Sequence, residues 1–463
     1  MVSTPPPPGF RIVVIDDDPT GSQTVHGCPL LLRWDADALA EGLRHPSPLL
    51  FVLANTRALD PAAARERVVA ICRGLRQAFA AVGVEHWLLV SRGDSTLRGH
   101  FPLEVEAISA ELGPFDATFL VPAFLEGGRT TLNATHLLHG RPVHESPFAR
   151  DGLFGYSTSF LPAWVAERSG GRIPAEAVQR LGLAELEAGP EPLRRRLAAL
   201  TGNPIVAVDA EQPRHLAALG AAVRALSDPA ADRADRPRRF LFQSAASLLN
   251  GLADLPPQPL DAVGLAGLRR RDAAGRALPG LVLVGSHVPL ADAQLARLLA
   301  DPGCVGVELL VDRVQRALEG PLPDLLLASL EQEWRERLET LLAAGHTPVL
   351  FTSRGERPCR HAAERRALGL ALAGLMARLA AALAPRLGYL ISKGGITSHT
   401  LLADGLGLAR VELQGQLLPG LSLLLTPPDA VPPALPVLTF PGNLGEAPTL
   451  WEAWRRMEGE APA

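Results

Sequence analysis

The sequence predicts an α/β fold in two domains, each with a largely parallel sheet flanked by helices. Three observations carry this reading. Short apolar runs alternate with helical patterns from end to end, and polar or glycine-rich segments follow those runs directly. The alternation pauses once, over roughly residues 253–280, where DLPPQPLDAVG and RRRDAAGRALPG are rich in proline, glycine and charge. A chain of 463 residues with 47% hydrophobic content also exceeds what one core usually organises. Residues 1–255 are therefore read as the first domain, 256–280 as a linker and 281–463 as the second domain.

In chain order, RIVVI (11–15), LLFVLA (49–54), HWLLV (86–90), ATFLV (117–121), PIVAV (204–208) and RFLF (239–242) are the strands expected in the first domain. Such continuous runs of β-branched, leucine and aromatic residues suit strands buried on both faces, and Ala/Leu/Arg/Glu helices separate them. The second domain resumes with LVLV (281–284), followed by strands near 307–310, 348–352, 388–391 and 436–440. The segment ALGLALAGLMARLAAALA, interrupted by Arg378, is expected as a buried core helix rather than a membrane span. No internal repeat is evident.

Composition narrows the partners. The net charge is −4 with both signs interspersed, which offers no basic patch for nucleic acid or an anionic membrane, so small molecules are expected. Cys28, Cys72, Cys304 and Cys359 are far apart and form no CxxC pair, against a zinc site or a disulfide scaffold. MVSTPPPPGF has neither a basic nor an apolar signal region and reads as a disordered lead-in, so a cytoplasmic location is expected. The oligomeric state is not encoded legibly, and a homo-oligomer is left open.

In open α/β sheets ligands bind beyond the carboxyl ends of strands, which makes the post-strand segments the candidate sites. IDDDPTGSQTVHG places Asp16, Asp17 and Asp18 in succession, a repulsive arrangement that calls for a metal ion or a cationic side chain. ANTRALD and SRGDSTLRGH bring Arg57, Arg92 and Arg98 as guanidinium forks for a carboxylate or phosphate. Asp94 and Ser95 lie between two of these arginines, where an ionised Asp94 would orient or deprotonate a substrate hydroxyl. VPAFLEGGRTTLNATHLLHG adds Glu126, Arg129, Thr130 and Asn133, while the irregularly spaced His136, His139 and His144 read as packing or surface residues. In the second domain, VGSHVP, SKGGITSHT and TFPGNLGEAP each put glycine after a strand. Taken singly these are ordinary strand-to-helix connections; together they make a cradle for nucleotide phosphates. Neither a GxxxxGK[ST] nor a GxGxxG sequence is present, which argues against a P-loop NTPase and a Rossmann dehydrogenase.

Taken together, DDDPTGSQT, RGDSTLRG, PAFLEGGRTTLNATHLLHGRPVHE, GSHVP and SKGGITSHTLL resemble the four-carbon acid sugar kinase family, in order and over nearly the whole chain. The resemblance implies a sugar-acid-binding N-terminal domain, a nucleotide-binding C-terminal domain, and ATP with Mg2+ as phosphoryl donor. It places Asp17, Asp18, Arg57 and the run Asp94, Ser95, Thr96, Leu97 and Arg98 on the acid, beside which Arg92 and Arg129 are expected from their positions. Asp18 or Asp94 is the expected catalytic base, and the metal ligands are left open. ATP contacts carry over to Ser286, to Gly394, Gly395, Ile396 and Thr397, and to Gly442. Ile396 stands where many members are acidic and Pro19 where many have another residue, pointing to a subgroup with a substrate other than a plain tetronate. Lys393, the only lysine in the chain, is expected beside a phosphate, because a compact ammonium fits where a planar fork does not. An NAD-linked sugar-acid dehydrogenase and a non-catalytic sugar-acid sensor are the alternatives.

Overall fold

The computed structural model describes residues 10–22, 24–228, 236–355 and 362–459. The N-terminal lead-in as far as Gly9 and Cys359 lie outside them. The chain divides into two compact units, Met1–Pro257 and Gln258–Ala463.

The first unit contains strands β1 (Arg11–Asp16), β2 (Cys28–Leu31), β3 (Leu49–Leu53), β4 (Trp87–Arg92), β5 (Ala117–Val121), β6 (Arg129–Leu132), β7 (Thr135–Leu138), β8 (Arg141–Pro142), β9 (Gln179–Leu181), β10 (Ile205–Val208) and β11 (Phe240–Ser244). Its main sheet has the order β2-β3-β1-β4-β11-β5-β10-β9, with every pair parallel. The central strands are apolar on both faces: Ile12, Val13, Val14, Phe51, Leu89, Val90 and Phe242 are fully buried. Their side chains have no solvated face to alternate with, as expected of a covered parallel sheet. Helices form between the strands on local signals. Asp60 caps the helix Pro61–Val82 by accepting from the Ala63 amide, Pro61 opens it, and Gly83 closes it at φ 77°. β6, β7 and β8 form a separate antiparallel ribbon.

The second unit contains β12 (Gly280–Val284), β13 (Cys304–Leu309), β14 (Thr347–Thr352), β15 (Tyr389–Lys393), β16 (Arg410–Leu418), β17 (Leu421–Leu425) and β18 (Pro436–Phe440). Their order is β13-β14-β12-β15-β18-β17-β16. The sheet is parallel through β18 and antiparallel beyond it, where β17 pairs with both β16 and β18. Residues 258–279, read as linker, cluster with this unit and include the helix Ala262–Ala266, whose N-cap Asp261 accepts from the Gly264 amide. Among the described residues one helical stretch, Ala367–Arg386, is long and apolar enough to cross a membrane. Leu375, Met376, Leu379 and Leu383 in it are buried within the protein. Cys28, Cys72 and Cys304 are buried, and among the described residues none of them forms a disulfide.

Candidate active site

In the first unit the carboxyl ends of β1, β3 and β4 bring the acidic turn and the arginines together. Arg57 lies in the 3-10 turn Thr56–Ala58 that follows β3. Its Nε and Nη2 donate to the two oxygens of Asp17 at 3.0 and 2.6 Å, and its Nη1 donates to Asp18 at 3.2 Å. Arg92, the last residue of β4, sits 3.6 Å from Asp16 and 3.7 Å from Asp17. The positive charge that three successive carboxylates call for is therefore supplied by side chains. Among the described residues there is no cluster of His, Cys, Asp and Glu fit to hold a metal ion.

Asp94 opens the turn after β4 and accepts from Thr96 and from Arg98 Nε, the latter at 2.7 Å. Arg98 also lies 3.6 Å from Asp151 and over the Phe148 ring. Leu97 adopts φ 65°, a conformation that costs a branched residue free energy and needs external support. The support comes from residues downstream. His136 Nε2 contacts the Ser95 carbonyl at 2.8 Å, Tyr156 donates to the Thr96 carbonyl at 2.7 Å, and Arg168 donates to the Gly99 carbonyl at 3.0 Å. Burial pushes His136 down to about 4, so the ring is neutral, donating through Nε2 and accepting from Thr131 at Nδ1. The histidine expected to be a packing residue thus packs beneath the candidate site.

Asp17, Asp94, Arg98, His100, Glu104 and Gln243 are among the residues that line one cavity. Asp18 lies outside its wall, held by Arg57 and by the Thr20 amide. Burial opposes the ionisation of Asp94, but Arg98 and Arg57 more than offset it and hold the carboxyl well below the usual range. Burial likewise raises Asp18, and the charge of Arg57 with the Thr20 hydrogen bonds reverses the shift to a net lowering. Three carboxyls move the other way: burial raises Asp17, and it carries Asp16 and Glu104 up to about 7 each, with the charge of Asp17 adding to both. Glu104, in the first turn of the helix Leu103–Leu112, accepts from Thr56 Oγ1 at 2.5 Å. It is a site-lining residue that sequence reasoning missed; an acidic residue in a first helical turn has an ordinary explanation in the helix dipole. Arg129 is buried against Phe124, with Nη1 donating to the Gly127 carbonyl at 2.8 Å.

The second unit gathers its three glycine turns. A Cβ on Gly442 would fall 2.6 Å from Ser286 Oγ, one on Gly394 would fall 3.3 Å from the Ser286 amide, and one on Gly285 would collide with Thr397 Oγ1. Glycine at these places is what allows the turns after β12, β15 and β18 to meet. Gly394, at φ 121°, ties back through its amide to the Phe440 carbonyl at 2.9 Å. Gly395 begins the short helix Gly395–Thr400, in which Thr397 is buried and Ile396 is half exposed. Arg354, also missed from the sequence, holds Ser286 from behind: Nη2 donates to its carbonyl at 2.6 Å and Nε donates to Asp292.

Lys393 does not face outward from this cradle. It ends β15 in the middle of the sheet with no exposed surface, donates from Nζ to the carbonyls of Pro441 at 3.1 Å and Gly442 at 3.4 Å, and lies 4.0 Å from the centre of the Phe440 ring. Where a phosphate contact was expected, the ammonium meets two backbone carbonyls and a ring face. A compact ammonium fits between two carbonyls and a ring face where a planar guanidinium does not. Burial, assisted by the charge of Arg354, brings its pKa down to about 7.

Comparisons with known proteins agree with this division. A family model described as a sugar-binding N-terminal domain matches residues 12–252, and one described as a nucleotide-binding C-terminal domain matches residues 281–450. A D-threonate kinase of Cupriavidus necator is 29% identical over 402 residues, covering 84% of this chain and 86% of that protein. A D-erythronate kinase of Heliobacterium modesticaldum is 29% identical over 189 residues, 38% of this chain and 41% of that one. The solved structure of a Salmonella typhimurium LT2 protein shares the fold, with a TM-score of 0.68 at 18% identity over 96% of this chain and 99% of that one.

Proposed function

The chain belongs to the four-carbon acid sugar kinase family, and from that premise we propose that it transfers the γ-phosphoryl group of magnesium-bound ATP to a hydroxyl of a small polyhydroxylated acid such as threonate or erythronate. The threonate and erythronate kinases it resembles favour this choice over the different substrate suggested by Ile396 and Pro19. The first unit holds the acid and the second holds the nucleotide. The observation that carries the reading is the meeting of Gly285, Gly394 and Gly442 around Ser286, which a sugar-acid sensor has no use for.

Phosphoryl transfer asks little covalent chemistry of the protein, so positioning and charge neutralisation account for most of the rate. Arg98, which lines the cavity, is the guanidinium best placed to take the acid's carboxylate, because three donor atoms of Arg57 are engaged by Asp17 and Asp18, and Arg129 adds positive charge close by. Arg57 then serves by keeping the acidic turn in register. Asp94 lines the cavity ionised, so it orients the attacking hydroxyl and accepts its proton late, when the nucleophile has become acidic. In the second unit Ser286 and the backbone of the glycine turns hold the phosphates, with Thr397 supporting the cradle. Magnesium arrives on the nucleotide as part of the substrate.

Thermal unfolding of the full chain with magnesium and ADP tests the assignment. Stabilisation that saturates with ADP is expected, and Gly442→Val should abolish it. A chain stabilised by sugar acids but indifferent to ADP and ATP would be a sensor instead.

A further inference from the structure

Gln243 and Ser244 end β11, between β4 and β5 in the middle of the first unit's sheet, and both line the cavity that holds Asp94 and Arg98. Both are more than nine-tenths buried. Among the described residues, neither Gln243 Oε1 nor Ser244 Oγ has a hydrogen-bond partner. A buried amide oxygen left unpaired costs free energy, and buried polar groups in folded proteins are almost always satisfied by something. The side chain is also held in place. Gly93 packs against it, and a Cβ at residue 93 would collide with Gln243 Nε2. Glycine at that position leaves the amide the room it occupies, beside the Asp94 turn.

Resting on the assignment of this cavity to the acid, we propose that Gln243 is a specificity-determining residue that accepts a hydrogen bond from a hydroxyl of the bound sugar acid through Oε1. A carbonyl oxygen needs a donor, and a carboxylate offers none at neutral pH. The acid's charged end therefore turns to the arginines and a hydroxyl turns to Gln243. The cavity wall is divided between an ionic part, at Asp94, Arg98 and Glu104, and a neutral part at Gln243 and Ser244. Such a site rejects a ligand lacking the hydroxyl, because the amide oxygen is then stranded.

The test measures binding, independently of phosphoryl transfer. Dissociation constants are determined by calorimetry for the wild type, Gln243→Met and Gly93→Ala. The ligands are the stereoisomeric 2,3,4-trihydroxybutanoates and, for the tightest of them, its three monodeoxy analogues. In the wild type, one deoxy analogue should bind at least about tenfold more weakly than the parent acid. In Gln243→Met that gap should shrink to within about threefold, through loss of affinity for the parent alone. Gly93→Ala, which keeps the glutamine but displaces its amide, should shrink it likewise, so the result does not depend on one variant folding. An unchanged gap in either folded variant, or no such gap in the wild type, would overturn the inference while leaving the site assignment standing. No binding of any of these acids to the wild type would overturn the assignment and the inference together.

Discussion

Asp94 and Lys393 illustrate how burial and partners decide what an ionisable residue does. Asp94 is ionised because two guanidiniums face it, and it lines the cavity. Asp94→Asn should lower kcat by on the order of 10² or more, since an amide keeps the shape but cannot accept the proton. It should also lower the melting temperature of a still-folded chain, because the charge that Arg98 and Arg57 stabilise is lost. Steady-state kinetics alongside thermal unfolding checks this, and near-wild-type turnover would remove Asp94 from the mechanism. Lys393 has the reverse situation, a base buried against carbonyls. Lys393→Met should raise KM for ATP about tenfold by releasing the Pro441–Gly442 turn, and Lys393→Arg should rescue little of it. Recovery of full nucleotide affinity in the arginine variant would show that only charge is needed there. Glu104 gives a pH signature. Its carboxyl is raised in the folded state to about 7 from an unfolded value of 4.5, so the folded protein binds the extra proton between those values. Its contribution to stability is fully present below pH 4.5 and is lost as pH rises through about 7. Glu104→Gln should flatten that fall in a series of denaturant titrations from pH 5 to 8.

At the scale of elements, the antiparallel ribbon and the segment after it act on the Asp94 turn through His136, Tyr156 and Arg168. Tyr156→Phe removes only the hydroxyl that holds the Thr96 carbonyl. It should raise KM for the acid several-fold, on the order of 1 kcal/mol, and leave KM for ATP unchanged. Equal effects on both constants would indicate a general loss of fold. The long parallel strands and the post-strand segments were legible in the sequence because burial on both faces forces continuous apolar runs, as in RIVVI and LLFVL. The ribbon, the short strand Gln179–Leu181 and the strand Arg410–Leu418 were not, since their residues mix polar and apolar types without such a run. The same limit applies in the site. Asp17, Arg57, Asp94 and Arg98 stand out as charges after strands, whereas Gln243 and Glu104 acquire meaning only when folding removes their water and brings them to the cavity.

At the scale of the whole molecule, the proposed function gives each unit one substrate. Arg98→Ala in the full chain should abolish stabilisation by the sugar acid and preserve stabilisation by ADP, while Gly442→Val should do the opposite; loss of both responses from either change would contradict separate sites. The most direct test of the central claim is phosphorus NMR of the full chain incubated with magnesium, ATP and a four-carbon sugar acid. A phosphomonoester resonance of the acid should grow in step with ADP, one for one, and neither should grow when the acid is omitted. ADP appearing with inorganic phosphate and no phosphorylated acid, or unchanged ATP with every four-carbon acid offered, would contradict it.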